Sequence, residues 1–273
     1  MVLDAARASI ATSLGVRPAE VFLTTSGPTA VGVAVQGLLE RPGAPSRAVV
    51  GAVESLSVLS PARRWARAVD IVPVHPNGAL DVEALAIALE RPAAVVCVQA
   101  ANPEVGTRQP LGRAAELARS AGVPLLVHAV QVVGRDTTPT DWDLLAASAR
   151  DWGGPAGVGV LAVRSHVRWT PEENPDRGWV VGFPDVAGAA SAATALEYVL
   201  PHAATESERL FALTDRIRAV LPQLADGIVV TGDPVDRLAH VVTFTCDRVT
   251  GEVLVGSIGS ELRDQDLDVT ETT

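Results

Sequence analysis

The chain has 273 residues, 48% of them apolar, enough to bury a sizeable core in one large domain or in one domain and part of a second. Its formal charge of −10, from 32 acidic against 22 basic residues with no local basic run, opposes nucleic acid and anionic membranes as partners. No stretch of about 18 or more apolar residues occurs, and Met1-Val2-Leu3-Asp4-Ala5-Ala6-Arg7 is not a charged leader followed by an apolar block, so a cytoplasmic location is expected.

From residue 20 to about 165, short β-branched runs alternate with helical patterns, which predicts a mainly parallel sheet with crossover helices. In chain order the pattern gives a helix over 4–14, a strand over 21–25, a helix over 29–39, a strand over 48–53 and a helix over 57–67. A strand over 70–74 follows, then the turn Pro76-Asn77-Gly78, where glycine supplies the positive φ such turns need. Next come a helix over 82–91, a strand over 93–99, a helix over 111–120 and strands over 124–128, 144–147 and 157–164. Residues 166–185, rich in Pro and Gly, read as a loop leaving the sheet. Helices over 187–200 and 206–221 follow, the second able to link to another domain, and strands over 227–231 and 240–246 with a helix around 252–257 then form a small α+β unit. The acidic stretch 261–268 is expected to be poorly ordered. The expected division is a large domain over 1–200 and a linking helix with a truncated small domain over 201–273. Cys97 and Cys246 fall in strand-like apolar runs and read as buried thiols, not as a disulfide or a metal site.

In an open parallel sheet, ligands bind beyond the carboxyl ends of the strands. Several polar clusters fall at such ends. Thr24-Thr25-Ser26-Gly27-Pro28-Thr29 opens a helix and can be half of an anion cradle or an ordinary helix cap. Asn102, in Ala101-Asn102-Pro103-Glu104, can orient a ring substituent or form a local Asx turn. His128 and Gln131 follow the next strand, and Ser148-Ala149-Arg150-Asp151-Trp152-Gly153-Gly154-Pro155 closes the set with a diglycine loop.

Taken together with the run from Ala101 through Pro110, these clusters resemble the class V aminotransferase fold. The likeness is greatest to cysteine desulfurases and selenocysteine lyases, and it runs from about Val2 to Cys246. The resemblance implies a pyridoxal 5′-phosphate-dependent transferase-like large domain plus a small α+β domain that is truncated here. It maps Gly27, Thr29 and Ser148 to the phosphate site, and Asn102 and Gln131 to residues that hydrogen-bond the ring and its phenolic oxygen. The family's lysine, which forms the covalent link to the cofactor, matches Asp151, and the histidine before it matches Arg150. The carboxylate that partners the pyridine nitrogen matches His128, and the ring-stacking histidine matches Ser55. The family's mobile loop with its sulfur-accepting cysteine would lie beyond Thr273, and its amino-terminal segment before Met1.

There is no lysine in the chain: all 22 basic residues are Arg. Average composition would supply roughly a dozen or more lysines, a deficit that a GC-rich coding bias explains in large part. Bias does not explain losing a catalytic amine. A carboxylate cannot form a Schiff base, and an imidazole at His128 is not a fixed negative partner for the ring nitrogen. The expectation is therefore a catalytically degenerate, cysteine desulfurase-like scaffold that forms a homodimer or pairs with an active paralogue. One alternative is an enzyme that binds the cofactor noncovalently, with His128 or Asp151 as general base. Another is a truncated gene product.

Overall fold

In the computed structural model, which describes residues 1–171, 175–224, 226–247 and 249–253, the strands form one seven-stranded sheet and one two-stranded sheet. The large sheet is built from β1 (Val21–Thr24), β2 (Arg47–Gly51), β3 (Ala68–Val72), β4 (Val95–Gln99), β5 (Leu125–His128), β6 (Leu144–Ser148) and β7 (Gly159–Val163). Its order is β1-β7-β6-β5-β4-β2-β3. Every pairing from β6 to β3 is parallel, while β7 runs antiparallel to both β6 and β1. A run of parallel strands alone does not foresee this reversal. It follows from the link between β6 and β7, which is a tight 3-10 turn over Ala149–Trp152 with no crossover helix.

Alternation along the central strands divides the core in two. Val49, Val96, Val98, Leu125, Val127, Leu145 and Val160 face one cluster, whereas Ala48, Val50, Val95, Cys97, Leu126, Leu144 and Leu161 face the other. Helices α2 (Gly27–Leu39) and α3 (Leu56–Trp65) cover the second face. The first is covered by α1 (Val2–Ser13), α4 (Val82–Ala88), α5 (Leu111–Ser120) and α6 (Val186–Val199). α2 is apolar nearly all round and is buried accordingly, whereas α5 buries one stripe through Ala114, Ala115 and Ala118. Gly78 takes φ +85° and its N–H donates to His75 O, so the turn expected at residues 76–78 is present.

α7 (Ala203–Leu224) leads to the small sheet of β8 (Ile228–Val230) and β9 (Phe244–Cys246). The strand expected over 240–246 is shorter, its pairing with β8 covering Phe244–Cys246 alone. Arg237 anchors this unit: its buried guanidinium donates to Thr214 Oγ1 at 3.1 Å, pairs with Asp215 and lies 4.8 Å from the Phe211 ring centroid. The helix expected around 252–257 falls mostly outside the described residues, and the acidic stretch 261–268 lies wholly outside them.

Candidate functional site

Because β7 alone is reversed, the carboxyl ends of β1, β2, β4, β5 and β6 share one edge. A cavity of about 430 Å³ opens there, lined among others by Ser26, Ser55, Gln99, His128, Gln131 and Ser148, with Arg150 and Asp151 beside them. A larger concavity of about 580 Å³, bordered by Arg41, Arg119, Arg164 and Arg168, lies at the opposite edge. The smaller cavity is the candidate site, since it gathers the polar groups at the strand ends.

Ser26 ends the β1 turn and caps α2, its Oγ accepting from Thr29 N at 3.1 Å and lying 2.8 Å from Thr29 Oγ1. The cap and the hydroxyl cluster are thus one object, with Thr29 just behind the wall and Ser26 on it. Gly27 lets the first turn of α2 approach β6: a Cβ there would fall 2.8 Å from Ser148 Cβ. Gly159 performs the same service, since a Cβ would meet Ser26 O at 2.0 Å. Ser55 begins α3, with its Oγ 2.5 Å from Ser57 Oγ.

Asn102 is buried but does not line the cavity. Its Oδ1 accepts from Glu104 N at 2.8 Å and Val105 N at 2.9 Å, the Asx turn that was the alternative to a ligand role. Gln99, which sequence reasoning passed over as a strand residue, is on the wall instead, with Nε2 donating to Val53 O at 3.0 Å.

Glu54 reaches under the site from the end of β2. Its Oε1 accepts from Gln99 N, while Oε2 lies 3.8 Å from His128 Nδ1 and has no hydrogen-bond partner among the described residues. Asp151 is held by its backbone, whose carbonyl accepts from Arg135 Nε, and by Trp152 next to it, whose Nε1 donates to Ala192 O at 3.0 Å. The Asp151 side chain is buried and its Oδ2 is also unpartnered. Burial raises the Asp151 pKa, and the nearby Arg150, Arg135, His128 and Ser148 offset that rise only in part. Arg150 is exposed at the rim.

Gln131 Oε1 lies 3.1 Å from His240 Nε2, a contact 109 residues apart in sequence that ties the carboxyl-terminal unit to the site. Burial, with Arg135 adding repulsion, lowers the His240 pKa from 6.5 to about 4. The folded chain therefore keeps this ring neutral where the unfolded chain protonates it. Stability that is full above pH 6.5 is lost as pH falls toward 4. Because the ring is partly open to solvent, the loss is on the order of 1 kcal/mol. His240→Asn should flatten this part of the pH profile of urea unfolding midpoints, and an unchanged slope would refute the assignment.

An α/β sheet with a polar cavity at its carboxyl edge, walled by a capped helix and a diglycine turn, defines a small-molecule-binding fold of the transferase type. Residues 1–266 match the family model Aminotransferase class-V, and the chain belongs to that family. It is 32% identical over 271 residues to "IscS-like cysteine desulfurase" of Mycobacterium tuberculosis, covering 93% of this chain and 69% of that protein. It is 30% identical over 265 residues to "Cysteine desulfurase NifS" of Azotobacter vinelandii, covering 93% of this chain and 66% of that protein. The chain thus spans about two thirds of the length of these relatives. In fold it is similar to a solved "NIFS-LIKE PROTEIN", with TM-score 0.86 and 23% identity over 95% of this chain and 74% of that one. It is likewise similar to DndA from Streptomyces lividans, with TM-score 0.82 and 24% identity over 96% of this chain and 77% of that one.

The family is pyridoxal-phosphate-dependent. The hydroxyls of Ser26 and Ser148 suit the anionic end of such a group. Covalent attachment through a side chain does not fit, because no residue of the chain carries a lysine amine. Asp151 Oδ2, unpartnered among the described residues, is a further mismatch, since in the ionised form it can only accept a hydrogen bond and an aldehyde oxygen does the same.

Proposed function

We propose that this chain is a catalytically degenerate relative of the cysteine desulfurases, which keeps the large-domain scaffold and its cavity and works by association. The observation that carries this reading is the buried Asp151, its Oδ2 without a partner among the described residues, at the place the resemblance gives to the anchoring amine in a chain without lysine. His128 and Ser55 at the other reactive positions point the same way.

An associative role is supported by α7, where Leu213, Ile217, Val220 and Leu224 recur at helical spacing and are exposed. The partner on this reading is a second copy or an active paralogue. Purified protein given L-cysteine and pyridoxal phosphate should release no sulfide or alanine above the protein-free control. From native cells it should be recovered as a dimer or with the paralogue. Turnover of cysteine removes the degenerate reading, and recovery only as a 28.3 kDa monomer removes the associative one.

The open cavity favours a second reading, an enzyme that holds the cofactor noncovalently with His128 or Asp151 as general base. That reading requires a change in visible absorption on mixing with pyridoxal phosphate, and an unchanged spectrum ends it.

A further inference from the structure

Two buried carboxylates, Asp151 on the cavity wall and Glu54 beneath it, each have an oxygen, Oδ2 and Oε2, that no donor reaches among the described residues, and the two residues are only 5% and 6% exposed. Leaving such an acceptor unmet costs about 1–3 kcal/mol, more for a charged group. His128 is close to both: its Nδ1 is 3.8 Å from Glu54 Oε2, and it is among the neighbours that offset the rise of the Asp151 pKa. Arg135 donates to the Asp151 backbone carbonyl, and although Ser148 hydrogen-bonds the Asp151 side chain, Oδ2 is left without a donor among the described residues. The rest of the wall has the opposite character, with the hydroxyls of Ser26, Ser55 and Ser148 and the guanidinium of Arg150.

The site therefore has an acceptor-only group where the family resemblance supplies an amine, and donors where it supplies a phosphate cradle. The complement of that wall is a ligand whose polarity is also exchanged. An aldehyde offers Asp151 another acceptor, a hydroxymethyl group offers a neutral donor, and a protonated aminomethyl group offers charged donors, which bind a carboxylate about twice as strongly as neutral ones. We propose that the cavity takes an anionic ligand bearing its own protonated primary amine, with the ammonium on Asp151 and the anion among Ser26, Ser148 and Arg150. Among the vitamin B6 phosphates it then selects pyridoxamine 5′-phosphate over the aldehyde. The inference rests on the reading of Asp151 as the replaced anchor, but not on how the protein is used in the cell.

The test is calorimetric titration of the full chain with pyridoxamine, pyridoxine and pyridoxal 5′-phosphates at neutral pH. The amine form should bind at least about tenfold more tightly than the alcohol, a difference of about 1.4 kcal/mol. Asp151→Asn, which preserves size and removes the charge, should bring the two affinities together. Equal affinities in the native chain, no binding of any of the three, tightest binding of the aldehyde, or a preference that survives in Asp151→Asn each overturn the proposal. The native-chain comparison stands even if the variant does not fold. Inactivity toward cysteine with no amine preference removes this inference and leaves the degenerate reading intact, whereas cysteine turnover removes that reading first.

Discussion

Asp151→Lys gains one covalently held pyridoxal phosphate per chain, detected by mass after borohydride reduction and mapped to the peptide containing residue 151, where the native chain shows no adduct at any side chain. The native chain makes this test unusually clean. With no lysine among the 273 residues, no side chain of this sequence can form a Schiff base. The introduced lysine would occupy a buried position near Arg150 and Arg135, and both burial and neighbouring positive charge lower an ammonium pKa and free the nucleophilic amine. The gain is in attachment and not in turnover. His128 still stands where the family resemblance puts a carboxylate against the ring nitrogen, and Ser55 where it puts a stacking imidazole. Cysteine turnover by Asp151→Lys should therefore remain at least about 100-fold below that of an active family member, as expected when groups that act on one mechanism are missing together. Absence of the adduct in a folded variant would show that the wall at residue 151 does not face the ligand space. That outcome would sink both the assignment of Asp151 and the inference built on it.

The sheet was legible because its strands carry their own signal. β4 and β5 read as largely apolar runs, as strands buried on both faces must, and the helix between them, α5, carries one apolar stripe. Boundaries moved where caps decide them: α2 starts at Gly27 because Ser26 caps it, two residues before the apolar pattern becomes periodic. The direction of β7 was not legible, since a strand's own residues do not say which way it returns. At the site, His128, Gln131, Ser148, Arg150 and Asp151 were found from their places at strand ends, and the structure brings all five to one cavity. Thr29 and Gly27 shape the wall from behind, and Asn102 is consumed by its own turn. The Gln131–His240 contact and the unpartnered oxygens of Glu54 and Asp151 could not be read in advance. They depend on which side chains meet across the fold and which donors fall short, and no local spacing records either.

The second large effect concerns how Asp151 is held, and it falls on Trp152. This side chain is 3% exposed, its indole N–H donates to Ala192 O in α6, and its Cβ lies against Gly134 so closely that a Cβ on that glycine would come within 2.5 Å. Gly134 also takes φ +79°, so both backbone conformation and space keep the position free for the indole. Trp152→Ala removes the contact between the β6–β7 turn and α6 and leaves a cavity with little freedom to collapse, since the sheet on one side and the helix on the other are fixed by their own packing. The expected cost is about 3–5 kcal/mol, a large share of the roughly 5–15 kcal/mol that holds a domain of ordinary stability. Trp152→Phe keeps most of the apolar contact and loses the hydrogen bond, for which about 0.5–1.5 kcal/mol is expected. Urea unfolding of the two variants beside the native chain measures both. If Trp152→Ala unfolds within about 1 kcal/mol of the native chain, which is the range of changes away from a packed core, then the turn carrying Asp151 is not clamped by α6. The buried carboxylate would then owe its environment to some other contact.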